Sequence, residues 1–291
     1  MSDDAALGTF LRARRERLTP AEVGLATSPR RRTPGLRREE LATLAGVSID
    51  YLIRLEQGRD TRPSPAVQAA LATALQLSDD ERTHMFHLAA HNISGPLCPS
   101  NAPPSPAVAP TVVQMLDGLA RTPAFVAGPQ NDVLAWNASW ELVAGPMAML
   151  DGDPPNLARH VFLNPSASSV YPDWALAADE QASRLRAASA RWSDDPVFAA
   201  LIDELSAGSE QFALRWATHD VAEKHRGIKR LVHPAAGEIR VAYEVLLLPD
   251  DNEQRLISWL PADEQSVAVM SRLLSVGEPV SPARLRVVGA N

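Results

Sequence analysis

The sequence predicts two domains, an all-helical one followed by a mixed α and β one with an antiparallel sheet. Helical periodicity with clear capping residues fills roughly the first 90 positions. A segment with five prolines follows at 95–106, and strand-like alternation appears only beyond it. We therefore place the domains at 1–94 and 107–291, joined by an extended, semi-rigid linker at 95–106. The 291 residues are enough for two separate cores.

Capping signals divide the N-terminal domain into helices. The first is expected at 7–18, before a loop rich in proline, glycine and arginine. Ser64, followed by a proline at the first helical position, begins a helix that ends near Leu75. Ser78 and Glu81 form a capping box, which begins a last helix that continues to about Ala90.

The segment between these helices, LRREELATLAGVSIDYLIRLEQG at 36–58, predicts two short helices joined by a tight turn. Gly46 supplies a turn with positive φ, and Ser48 caps the second helix. Ala42 is small where a bulky side chain would push the two helices apart, and helical spacing places Val47, Leu52 and Leu55 on one inward face. Such a helix-turn-helix inserts its second helix into the major groove. The outward residues, which we expect to meet base edges, are Ser48, Ile49, Asp50, Ile53 and Arg54.

Charge favours DNA binding over an ordinary helical hairpin. Residues 8–62 hold 12 arginines and 7 acids, whereas the whole chain has a net charge of −7. Arg37 and Arg38 begin a helix, where the helix dipole disfavours cations unless a phosphate is near. Arg30–Arg32 lie upstream, and Arg59 and Arg62 follow. The expected partner is a double-stranded DNA operator.

Base contacts can be predicted at three positions. Arg54 is expected to donate to guanine, Asp50 to accept from cytosine and Ile53 to touch a thymine methyl group. Asp50 has an alternative role, because an acid in a first helical turn also suits the helix dipole.

Alternating apolar patterns and turn residues predict the C-terminal elements. Strands at 123–127 and 132–136 flank a turn at 128–131. Long helices are expected near 174–192 and 196–207. The remaining elements are strands at 227–233, 238–248 and 255–260 and a helix at 263–275.

Several segments resemble one known family. LGTFLRARRERL and RTPGLRREELATLAGVSIDYLIRLEQGR resemble the N-terminal domain of the MmyB-like transcription regulators, a branch of the Xre-type helix-turn-helix proteins. The same family is resembled by TPAFVAGPQNDVLAWN, NLARHVFLNP, VYPDW, HPAAGEIRVAYEVLLLPDDNEQRLISW and, more loosely, RWATHDV. The resemblance implies a five-helix DNA-binding domain, then a PAS-like domain that binds small molecules, with fatty-acid-like ligands suggested.

All six tryptophans lie beyond residue 135. Together with nearby polar groups they predict an elongated apolar pocket with a polar end. The alternatives are that each tryptophan fills the core and that the polar groups form an internal network. The candidate ligand-binding residues are Trp136, Asn137, Trp140, Phe162, Trp174, Trp216, His219, Arg230, His233 and Tyr243.

Other chemistry is poorly supported, so we predict no catalytic residue, no metal site and no cofactor. His84, His87 and His91 share a helix face, but no further ligands join them, which favours a solvated or partly packed face. Nothing around Cys98 would activate its thiol. No nucleotide, metalloprotease or hydrolase motif occurs, and an enzyme is therefore the least favoured interpretation.

Partners and compartment follow from the same observations. A single cysteine fits a reducing cytoplasm, and the sequence predicts neither a membrane span nor a targeting segment. One helix-turn-helix covers little DNA, so we expect a homodimer on an inverted repeat, with its interface in the C-terminal domain or near the linker. The main alternative keeps DNA binding but makes the C-terminal domain a ligand-free dimerisation or protein-docking module.

Overall fold

A computed structural model describes residues 6–26, 33–60, 62–91, 105–192, 194–249, 253–276 and 286–287. Cys98, Arg30–Arg32 and all but the last two residues of the predicted linker lie outside these ranges. No helix in the described ranges is long and apolar enough to cross a membrane.

Five helices form the N-terminal domain, as the sequence predicts, and each begins at an expected capping residue where one was identified. Ser48 accepts a hydrogen bond from the backbone N–H of Tyr51 at 3.2 Å. Ser78 and Glu81 bond reciprocally at 2.9 and 3.3 Å. The helices are α1 (Ala6–Arg17), α2 (Arg38–Ala45), α3 (Ile49–Glu56), α4 (Pro65–Ala74) and α5 (Asp79–His91).

Close packing of α1 on α3 fixes the position of the helix-turn-helix. A Cβ atom on Gly8 would lie 2.5 Å from the carbonyl oxygen of Leu55, so only glycine permits this approach. Gly46 has the predicted positive φ, 64°. The fully buried leucines include Leu7, Leu11, Leu41, Leu52, Leu55 and Leu71.

An antiparallel sheet organises the C-terminal domain, with strand order β3-β4-β5-β1-β2-β6. Five strands were expected from the sequence, and the two-residue β6 was not. The arrangement is consistent with the PAS-like fold that the resemblance implies. The strands are β1 (Ala124–Ala127), β2 (Val133–Trp136), β3 (Arg226–His233), β4 (Gly237–Leu247), β5 (Arg255–Pro261) and β6 (Arg286–Val287).

Helices cover both faces of this sheet. Alternate β1 residues point to opposite faces, so Val126 packs with α6 while Phe125 belongs to the main core around Trp140. The predicted long helices are α10 (Trp174–Trp192) and α11 (Pro196–Gly208), and the predicted last helix is α13 (Glu264–Val276). The others are α6 (Pro110–Gly118), α7 (Ala138–Ala144), α8 (Leu157–Leu163), α9 (Ala167–Val170) and α12 (Glu210–Ala217).

The two domains share an apolar contact. Ala190 of α10 and Val221, which follows α12, are buried in the core of the N-terminal domain. This contact joins α1 and α5 to the segment that leads into β3.

Candidate DNA-binding surface and ligand cavity

The helix α3 presents the predicted polar face to solvent. Ser48, Ile49, Asp50 and Arg54 are exposed and Ile53 is partly exposed, whereas Leu52 and Leu55 are fully buried. The structure thus brings the five predicted base-contacting residues together on one accessible side. Their contacts with bases stay a prediction.

Tyr51 adds a contact that the sequence analysis missed. The Arg54 guanidinium lies 5.5 Å from the centre of the Tyr51 ring, within the range of a cation–π interaction. The spacing of three residues on a helix places such side chains beside each other, so this pair was recognisable from sequence. It restricts the directions in which Arg54 points.

The two arginines at the start of α2 differ in their surroundings. Arg37 is exposed, and its backbone N–H donates to the Glu40 carboxylate at 2.6 Å. The Nε of Arg38 donates to Glu56 at 2.7 Å, while 40% of the Arg38 side chain stays exposed. Arg59 and Arg62 are exposed beyond α3. All four of these predicted DNA-binding arginines are therefore accessible, and Arg38 is held by the buried Glu56.

A cavity lies between the sheet and α10. Its volume is about 60 Å³, enough for a few water molecules. Apolar side chains from β1, β3, β4 and β5 form much of its wall. These are Phe125, Leu231, Tyr243, Val245, Ile257 and Trp259, with Leu157 from α8 and Tyr171, which follows α9.

Basic side chains dominate the charge of this cavity. Arg184, Lys224, Lys229 and Arg255 line it, against the single acid Glu180. Lys229 pairs with Glu180 at 2.9 Å. The cavity therefore carries an excess of positive charge within a wall of mixed polar and apolar surface.

Arg255 is the most unusual of these groups. It is 6% exposed, and its Nη2 donates to the carbonyl of Gly128 at 2.7 Å and to Asn131 at 2.8 Å. Burial holds the pKa of Arg255 well below its ordinary value. Within the described part of the chain, the Nε atoms of Arg255 and of buried Arg184 have no hydrogen-bond partner. A buried guanidinium with an unused N–H is poised to donate to an anion.

A wider cleft of about 280 Å³ adjoins the cavity. Lys229, Glu180 and Tyr243 line both spaces, and the Lys229 ammonium lies 4.8 Å from the centre of the Tyr243 ring. These three side chains therefore form part of the boundary between the inner cavity and the outer cleft.

Of the predicted ligand-binding residues, only Tyr243 lines the cavity, and Arg230 lines the outer cleft. Trp136 and Trp140 pack in the core, the latter with its ring 4.4 Å from that of Phe125. A second aromatic cluster links Trp174 to Phe162, Phe162 to Phe212 and Phe212 to Trp216. For these aromatic residues the core-filling alternative describes the observed packing.

The predicted polar residues also have structural partners elsewhere. Asn137 caps α7 by accepting from the N–H of Trp140 at 2.9 Å. His233 accepts from the N–H of Ala235 at 3.2 Å, in the turn after β3. His219 lies at the domain contact, where its carbonyl accepts from Arg14. None of these three side chains is part of the cavity wall, and the ligand-site assignment stays a prediction.

Comparison with protein families supports the two-part organisation. A helix-turn-helix domain matches residues 6–85, and the MmyB-like transcription regulator ligand binding domain matches residues 108–273. A helix-turn-helix domain joined to a ligand-binding domain defines a DNA-binding transcription regulator. Because the second match covers more than half of the chain, the protein belongs to the MmyB-like transcription regulators. A comparison with curated proteins found no match.

Proposed function

We propose that this regulator binds an operator through α3 and responds to an amphipathic small molecule with an acidic group. The observation that carries the ligand proposal is the pair of buried arginines, Arg184 and Arg255. Both residues line the cavity, and the Nε atom of each has no hydrogen-bond partner among the described residues. An acidic head group would satisfy these donors and offset the excess positive charge.

The walls favour an apolar tail on the same ligand. Phe125, Ile257 and Trp259 offer carbon surface near the arginines, and the outer cleft gives the tail a direction in which to extend. A fatty acid meets both requirements. Because the inner cavity has a volume of about 60 Å³, such a ligand must displace side chains as it enters, for which the Lys229–Glu180 pair is well placed.

We further propose that two copies bind one operator. A single helix-turn-helix buries limited DNA surface, and a two-fold dimer on an inverted repeat doubles it. Light scattering of the free protein and of its DNA complex tests this: a dimer is expected, and a monomer in both samples would exclude it.

The ligand proposal is tested by titrating the full chain with C10 to C18 fatty acids and with the matching primary alcohols. Trp259 lines the cavity, so tryptophan fluorescence reports binding. We expect the acids to bind at least tenfold more tightly than the alcohols, and Arg255→Gln to remove most of this difference. Arg240→Gln, at an exposed arginine on β4, is the matched control. If no acid binds, the docking-module interpretation takes the place of this one.

A further inference from the structure

The segment at 218–224 connects the cavity to the DNA-binding domain. Asp220 lies 3.2 Å from Arg14 of α1, and Val221 is buried in the N-terminal core. Only a few residues later, Lys224 lines the ligand cavity. One short stretch of chain is therefore shared by the cavity and by the contact between domains.

Arg184 lies between the ligand cavity and the contact between the two domains. It lines the ligand cavity and also a separate cleft of about 380 Å³ between α5, α10 and the end of β4. Its Nη1 lies 3.1 Å from the carboxylate of Glu223, and its Nε has no partner among the described residues. The Arg184 side chain is 10% exposed and that of Glu223 is 29% exposed. A partly shielded pair of this kind is more strongly coupled than a surface pair.

Glu223 carries the connection to the DNA-binding domain. Its backbone N–H donates to the carboxylate of Asp80 at 2.8 Å, and Asp80 belongs to the first turn of α5. Arg184, Glu223 and Asp80 thus form a continuous chain from the cavity wall to a helix of the DNA-binding domain.

We propose that Arg184 is a switch residue that couples ligand binding to the domain contact. An anion in the cavity competes with Glu223 for the Arg184 guanidinium. When Arg184 turns to the anion, Glu223 loses its partner, and the segment at 218–224 is held less firmly against α5. The ligand part of this mechanism rests on the proposed function, namely that the cavity binds an acid.

Hydrogen exchange on the full chain tests the switch with a defined probe, tetradecanoate, and with 1-tetradecanol as its uncharged control. Saturating tetradecanoate is expected to speed exchange of peptides covering 218–225 and α5 at least fivefold, while the alcohol leaves them within twofold. Binding of tetradecanoate, seen by fluorescence, without faster exchange in these peptides would overturn the proposal.

A second set of hydrogen-exchange measurements compares variants without any ligand. Arg184→Gln and Glu223→Gln should each speed exchange at 218–225 and α5 at least fivefold, and the double variant should add less than twofold to either. Glu244→Gln removes a charge from an exposed pair with Arg226 and should match the wild type. Additive effects, or unchanged exchange in the single variants, would overturn the switch. If tetradecanoate does not bind, the ligand proposal fails, and these measurements alone decide whether Arg184 and Glu223 are coupled.

Discussion

Glu56, the last residue of α3, is held by two arginines from other helices. Its side chain is fully buried and accepts from Arg15 at 2.6 Å and from Arg38 at 2.7 Å. Arg15 also donates to the carbonyl of Leu36 at 2.7 Å. This one carboxylate therefore joins α1, α2 and α3 and fixes a candidate phosphate-binding arginine.

Removing the charge of Glu56 should destabilise the N-terminal domain. Glu56→Gln removes the buried counter-ion of Arg15 and leaves it only the exposed Glu16 at 3.4 Å. Breaking a buried pair typically costs about 3–5 kcal/mol. Urea denaturation measures the loss. Glu39→Gln, at an exposed acid 3.7 Å from Arg37, should change the free energy of unfolding by less than about 1 kcal/mol. Equal effects of the two variants would contradict the role assigned to Glu56.

Arg54 should contribute to sequence preference, because it is exposed on α3 beside Tyr51. Arg54→Ala is expected to cost about 1–3 kcal/mol on the operator and to relax one base position. Arg38→Ala should weaken binding to all sequences alike. This substitution also removes a hydrogen-bond donor to Glu56. Anisotropy titrations with specific and random duplexes measure both variants. Equal weakening of the two duplexes by Arg54→Ala would show that another face of α3 meets the bases.

Acid should lower the stability of the protein through His84, which is buried on α5. Burial lowers the pKa of His84 to about 3, whereas an unfolded histidine titrates near 6.5. As the pH falls from about 6.5 towards 3, the unfolded chain gains a proton that the folded chain does not, so stability is lost across this window. His84→Gln should make the fall in melting temperature below pH 6.5 less steep. A slope in His84→Gln identical to that of the wild type would refute this role.

Among the helices and strands, the elements that could be predicted best from sequence are those marked by signals within a few residues of the chain. Ser48, Ser64 and Ser78 cap helices within their own turn of chain, so the starts of α3, α4 and α5 could be predicted from sequence. The strands β3, β4 and β5 were likewise predictable from alternation and from the turn that begins at His233. The short helices α7, α8 and α12 carry too few turns for a reliable periodicity.

The cavity could not be predicted in the same way, because it depends on which strand faces meet α10. Aromatic residues that cluster in sequence, such as Trp136 and Trp140, pack against other core residues instead. The wall comes from β1, β3, β4 and β5, which are brought together only when the sheet assembles. One signal was available: Arg255 begins a strand, RLISWL, in which Ser258 is the one other polar residue. A charge in such a strand suggests a buried partner or ligand.

The approach of α1 to α3 gives a prediction at this scale. Gly8→Ala places a Cβ atom 2.5 Å from the Leu55 carbonyl oxygen, so the helices must separate, at a cost of about 1–3 kcal/mol. Gly118→Ala in α6 meets nothing within 4 Å and should be neutral or slightly stabilising. Thermal unfolding of both variants makes the comparison. A Gly8→Ala protein as stable as the wild type would show that α1 and α3 lie further apart.

At the scale of the whole molecule, the two domains are joined by charge as well as by apolar packing. Arg14 is buried between them and contacts Glu81 at 2.9 Å and Asp220 at 3.2 Å. Arg186 lies 3.4 Å from the centre of the Trp216 ring, and burial together with nearby Arg14 lowers its pKa to about 9. A contact built from buried cations has a substantial desolvation cost, so modest changes in the partners of Arg14 or Arg186 can shift the arrangement of the domains.

A ligand changes DNA affinity only if it binds two arrangements of the protein unequally. The most direct test is the affinity of the full chain for a duplex selected by the protein from a random pool, measured by fluorescence anisotropy with and without saturating tetradecanoate. We expect a change of at least fivefold, which corresponds to a coupling of about 1 kcal/mol. An unchanged affinity in a protein that demonstrably binds tetradecanoate would contradict it.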